Sequence, residues 1–175
     1  MTEKQRKIEQ LQRDLFSSDN AVVISALRKC LDSGDTSMVI PLIHLYATTK
    51  IALVKTEAAE MLGSLKVSGA ENAFMTALND GSLKRHRKDI LAFMWNSNMQ
   101  PTDHLSVIIG IAVDGNLEEA IECLTLVESM SGPFSSDQLK DSIAAVHEFL
   151  VEEEASEKLS LMRELLAVLE TAPEA

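Results

Sequence analysis

Residues that interrupt helices are scarce in this chain. Glycine occurs seven times and proline four times in 175 residues. Val/Ile/Thr runs with two-residue alternation are equally hard to find. A sheet protein of this length needs turn glycines and alternating strands, so an all-α fold is expected. Aromatic residues make up 4%, leaving few faces on which unpaired bases could stack. Apolar residues still reach 46%, so the core is aliphatic, built from Leu, Ile, Val, Ala and Met. Long apolar runs are missing too. The longest, 105–113, is too short to cross a bilayer and contains Ser106 and Gly110. The opening "MTEKQRKIEQ" lacks the apolar stretch of a secretory signal. Cys30 and Cys123, the two cysteines, lie far apart in apolar helical surroundings. Buried free thiols are expected, and with them a reducing compartment, most simply the cytoplasm.

The motifs of catalysis are absent as well. The four histidines, His44, His86, His104 and His147, fall on four different helices. No two share a face at i, i+4 and no cysteine adjoins them, so no metal site is expected. There is no G-x-S-x-G, no P-loop and no G-x-G-x-x-G. The glutamates at 152–154 splay around a helix instead of converging, and they suit a solvated junction. No catalytic residue and no cofactor is expected.

Helical periodicity, by contrast, runs almost throughout. Ile8, Leu11 and Leu15 form one stripe, and Val22, Val23, Ala26, Leu27, Cys30 and Leu31 the next, which stops at Gly34. Met38, Val39, Leu42, Ile43, Leu45 and Tyr46 follow, with Pro41 near a first turn, where its missing N–H does least harm. Val54, Ala58, Met61, Leu62 and Leu65 share a face, then Ala73, Phe74, Ala77 and Leu78, then Leu83, Ile90, Leu91 and Met94. Further stripes are Leu105, Ile108, Ile109 and Ala112; Leu117, Ala120, Ile121, Leu124 and Val127; Leu139, Ile143, Val146 and Leu150; and Leu159, Met162, Leu166 and Leu169. Ala58-Ala59 and Ala144-Ala145 suit helix packing, and 170–175 suits a frayed tail. This makes ten helices in five pairs, at about 3–33, 36–66, 69–98, 102–131 and 134–171, within a single domain covering 1–175.

Second helices begin near 20, 51, 82, 116 and 155, a spacing of 31, 31 and 34 residues at first. Such a period belongs to stacked hairpins, in which neighbours bury the stripes that one pair cannot bury alone. The stretch 34–66 resembles a HEAT repeat, a helical repeat of the armadillo type, through Gly34, Asp35, Ile40, Pro41, Leu42, Ile43, Val54, Lys55, Ala58, Ala59, Leu62 and Gly63. The third pair echoes it in Gly69, Ala77, Leu78, Asp80, Arg87, Ile90, Leu91 and Met94, and the first pair in Val22, Ala26 and Leu27. The last two pairs keep the period without the motif. The resemblance implies a right-handed α-solenoid of about five hairpins whose second helices line a concave face.

Charge is unevenly placed. Residues 1–113 hold 13 Lys/Arg against 12 Asp/Glu, a net of +1, and residues 114–175 hold 3 against 15, a net of -12. The basic residues concentrate at Lys84, Arg85, His86, Arg87 and Lys88. At the start of a helix these cations oppose the macrodipole, so helix stability does not account for them. They are either a solvated face, partly neutralised by Asp80 and Asp89, or an anion-binding patch. Trp95 is either packed on a neighbouring pair or an exposed hydrophobic anchor, a role that tryptophan favours.

Nucleic-acid binding requires a basic stripe along several repeats, and the acidic end argues against it. The expected function is a non-catalytic interaction module or scaffold, with a protein or acidic peptide as partner and no membrane. Its field steers the partner onto Arg28, Lys55, Lys84, Arg85, Arg87 and Lys88. The alternative that the resemblance allows is a HEAT-like enzyme or enzyme accessory, such as a DNA-repair glycosylase or a bilin-lyase-like protein. HEAT-like glycosylases bind DNA on a strongly basic concave face, which this chain lacks.

Overall fold

Apolar residues spaced by three and four wind into ten α-helices in the computed structural model, which describes residues 2–33, 35–153 and 155–175. They are α1 (Glu3–Asp14), α2 (Asn20–Ser33), α3 (Val39–Thr48), α4 (Ala52–Gly63), α5 (Ala70–Asn79), α6 (Arg87–Asn96), α7 (Leu105–Asp114), α8 (Leu117–Ser129), α9 (Ser136–Glu152) and α10 (Leu159–Glu170). Short 3-10 turns at Thr36–Met38, Gly81–His86 and Thr102–His104 lead into α3, α6 and α7. The chain divides into two units, one ending at Ser97 and the other beginning at Asn98. No described helix is long and apolar enough to cross a membrane.

In the first unit α1 packs on α2, α3 on α4 and α5 on α6. The second members adjoin in the order α2, α4, α6, and α3 lies against α5. Leu27, Ile43, Leu62, Phe74, Leu78, Ile90 and Leu91 are wholly buried between these layers. Local chemistry sets the helix ends. Thr2 and Gln5 form a capping box on α1, which satisfies two donors that the first turn would otherwise leave free. Asp35 accepts from the Ser37 N–H at the start of the turn before α3. Gly69 precedes α5 with φ +81°, a conformation that glycine adopts without strain. The end of α6 is fastened to the end of α4, because the buried Ser97 hydroxyl donates to the Leu62 carbonyl at 2.8 Å.

In the second unit α7 packs on α8 and α9, and α10 on α9 and α8. Two glutamine amides hold its loops. Gln138 accepts from the Leu105 N–H and donates to the Asp103 carbonyl, at 3.0 and 3.1 Å. Gln100 accepts from the Ser131 N–H and donates to the Ser129 carbonyl, at 2.7 and 3.1 Å. Each amide stands in for a strand of backbone and satisfies groups that the helix ends leave open. The end of α7 has a further partner. The Lys158 ammonium donates to the carbonyls of Ala112, Val113 and Gly115 at 3.0, 2.6 and 2.8 Å, and lies 4.8 Å from the centre of the Phe149 ring.

The helix order agrees with the sequence reading, but several faces differ. Ile121 is exposed, and Cys123 and Leu126 are buried in α8. In α9 the buried stripe is Leu139, Ser142, Val146 and Phe149, with Ile143 and Leu150 half-buried beside it. In α10 it is Met162, Leu165 and Leu169, with Leu159 and Leu166 half-buried. Ala144 is exposed and is no packing position. Each of these stripes is offset by about one residue at part of its length, on helices that each pack against two neighbours. The tail is not frayed. The Phe134 N–H donates to the Pro173 carbonyl and the Ala175 N–H to the Phe134 carbonyl, both at 2.9 Å. Cys30 and Cys123 are buried, as expected, and are not joined in a disulfide. The helix stop at Gly34, and Glu154 of the acidic run, lie outside the described residues.

Candidate docking surface at the start of α6

The basic run does not open an α-helix. Asp80 accepts from the Ser82 N–H at 2.8 Å and starts the 3-10 turn Gly81–His86. Lys84, Arg85 and His86 occupy that turn, and α6 begins only at Arg87. Leu83, buried at 2% exposure, anchors the turn to the core. This leaves Lys84 and Arg85 exposed and Lys88 half-buried. The expected opposition to the helix macrodipole therefore falls on Arg87 and Lys88 alone, with Asp89 in the same first turn as counter-charge.

Arg87 is half-buried and has a partner within the fold. Its Nε donates to the Leu78 carbonyl at 3.0 Å, at the end of α5. A cation there satisfies a carbonyl that the helix cannot, and it complements the negative end of the α5 dipole. The charge that works against α6 thus serves α5.

Lys55 of α4 lies beside this region. Its Nζ is 4.8 Å from the centre of the Tyr46 ring, a cation–π distance. Tyr46, at 8% exposure, joins three elements. Its hydroxyl donates to Asp89 Oδ2 at 2.9 Å. His86 Nδ1 lies 3.8 Å from the same oxygen. The tyrosine ring meets His86 and Phe93 edge-on, with centroids 5.9 and 5.1 Å apart. Burial, and then the hydrogen bond to Asp89, push the Tyr46 phenol up to about 12. On the flank His44 Nε2 stands 3.6 Å from Asp80 Oδ2. The Asp80 carboxyl is held below its ordinary value first by the Ser82 hydroxyl and backbone, and then by His44.

The structure therefore brings Lys55, Lys84, Arg85, Arg87 and Lys88 to the neighbourhood of one turn, with different tasks. Arg28, on α2, has a neighbour of its own on α4. The Arg28 guanidinium stands 3.9 Å from Glu57 Oε1, in a recess that Glu60 also lines. Trp95, on α6, is half-buried. The sequence reading missed the Tyr46–Asp89–His86 group. The signal was available in Tyr46 itself, a polar-tipped ring on a core stripe, whose hydroxyl needs a partner once buried. Among the described residues no group of three His, Cys, Asp or Glu side chains is placed to hold a metal ion.

No family model matches this chain, and neither a curated protein nor a solved structure is similar to it.

Proposed function

We propose that the chain is a non-catalytic interaction module that docks an acidic protein or peptide at the turn before α6. The three hairpins of the first unit and the two of the second are taken as repeats of the HEAT type, stacked in the right-handed solenoid sense. The row of second helices α2, α4 and α6 supports that assignment. The buried thiols suit a reducing compartment such as the cytoplasm.

One observation carries the docking assignment. Lys84 and Arg85 are held exposed on a turn whose Leu83 is anchored in the core, while Arg87 and Lys55 have partners within the fold. Anchoring Leu83 fixes the backbone of the turn, so binding need order only the side chains of its cations. The strongly acidic 114–175 makes the field asymmetric, which orients an incoming acidic partner more than it tightens the complex.

The test is affinity capture from the native lysate with two baits. One is the wild-type chain. The other carries Lys84→Glu, Arg85→Glu and Lys88→Glu and keeps Arg87, so that α5 retains its cap. Circular dichroism verifies that both fold. A partner captured by the first and lost by the second supports docking at this turn. Equal capture by both reduces the run to a solvated surface. Tight oligonucleotide binding with steep salt dependence would overturn the protein-partner reading.

A further inference from the structure

The first unit holds a cavity enclosed by α2, α3 and α4 that the docking turn does not touch. Its walls are Cys30, Met38, Val39, Leu42, Met61 and Leu65. Its volume is about 260 Å3. An apolar cavity of about 150 Å3 stays dry and takes up benzene, so this one has room for a longer apolar body. Met38 and Met61 add adaptable walls, since an unbranched thioether adjusts to irregular shapes.

Polar groups line it as well. Asp35, Ser64 and Lys66 are among the described lining residues, with Val67. Asp35, Lys66 and Val67 also border an open groove with Thr36 and Ser68, while Met61 and Ser64 border a recess lined by Arg28, Glu57 and Glu60; the groove beside Lys66 is taken as the mouth. Asp35 already accepts from the Ser37 N–H and hydroxyl at 3.1 and 2.8 Å, and it pairs with the Lys4 ammonium at 3.1 Å. Lys66 donates to the Ser97 carbonyl at 3.1 Å. That is one of an ammonium's three donors, and among the described residues no carboxylate stands within ion-pair distance of it. A mostly apolar recess with a few convergent polar groups is the usual form of a small-molecule site.

We propose that this cavity binds a small amphiphile, with its apolar chain among Met38, Leu42 and Met61 and a carboxylate end at Lys66. The Cys30 thiol, pushed up to about 11 by burial, forms wall and not nucleophile. The site stands independently of the docking assignment.

The test is methyl NMR of the intact chain labelled at its eight methionines, titrated with octanoate and, separately, with octylamine. Met38→Leu and Met61→Leu assign the two cavity signals. Octanoate is expected to shift Met38 and Met61 saturably while Met99 and Met130, in the other unit, stay in place. Octylamine should bind several-fold more weakly. Cys30→Phe fills the cavity and should abolish the shifts while the helical circular dichroism persists. If that variant does not fold, the smaller filling Cys30→Leu serves. No saturable shift up to the solubility limit of octanoate overturns the site, as do equal shifts at Met99 and Met130. Equal binding of octylamine overturns the assignment of an anionic end.

Discussion

Two buried polar side chains show how single residues hold this fold together. Tyr46 is the chain's one tyrosine, so ultraviolet absorbance during an alkaline titration reports it alone. The native phenol should titrate at about 12, against about 10 in denaturant. A raised folded pKa contributes stability that is fully present below the unfolded value and is lost as pH rises through the folded one. Unfolding on the alkaline side should therefore coincide with phenolate formation, and a native titration near the ordinary value would contradict the buried bond to Asp89. Lys158, at 8% exposure, is the second case. Burial lowers its ammonium pKa, against the attraction of Asp114, Glu153 and Glu119. Its three hydrogen bonds to carbonyls require the charged form. Lys158→Met keeps the apolar stem and removes all three donors, so stability in urea should fall by about 3 kcal/mol. A loss within error would mean that water replaces the ammonium.

At the scale of elements, helix ends decide more than helix middles. The basic run illustrates this, because its members look alike in sequence and do different work. Arg87→Ala removes the cap on α5 and should cost about 1 kcal/mol. Lys84→Ala, on the exposed turn, should change stability by no more than about 0.5 kcal/mol. Chemical denaturation of both variants distinguishes a capping arginine from a surface cation. The junction of α7 and α8 is tighter. Asn116 and Glu119 form a capping box there, with both hydrogen bonds at 2.9 Å. A Cβ on Gly115 would meet the Ile111 carbonyl oxygen and the Glu119 carboxylate, so one of them must move. Gly115→Ala should destabilise by about 2 kcal/mol, read as a lower thermal midpoint. An unchanged midpoint would show that the junction has room to relax.

For the whole molecule, the acidic balance of 114–175 is the dominant long-range feature. The net charge of -11 at neutral pH keeps copies apart by repulsion, and it vanishes near pH 4.8. The Asp35 and Asp80 carboxyls are held below their ordinary values, in both cases first by serine hydroxyls. A depressed folded pKa gives stability that is present above the unfolded value, about 3.9, and lost as pH falls through the folded one. Association should therefore begin before these caps protonate. Light scattering should rise around pH 4.8 while circular dichroism remains helical, with loss of helix following at lower pH. Helix loss ahead of scattering would reverse that order.

Composition and apolar spacing were sufficient to determine an all-α chain, the ten helices, their pairing in sequence and the buried state of both thiols. These follow from local rules, since a stripe of period 3.6 and a capping residue act within a few positions of one another. The same spacing could not settle which way α8, α9 and α10 rotate, because their apolar residues fit more than one face and packing selects among them. It also could not separate Arg87 from Lys84 or Arg85, or foresee Lys158 closing the end of α7, 43 to 46 residues away. Such contacts join residues distant in sequence. They form because a buried carbonyl must find a donor, and only tertiary packing decides which side chain is near enough to supply it.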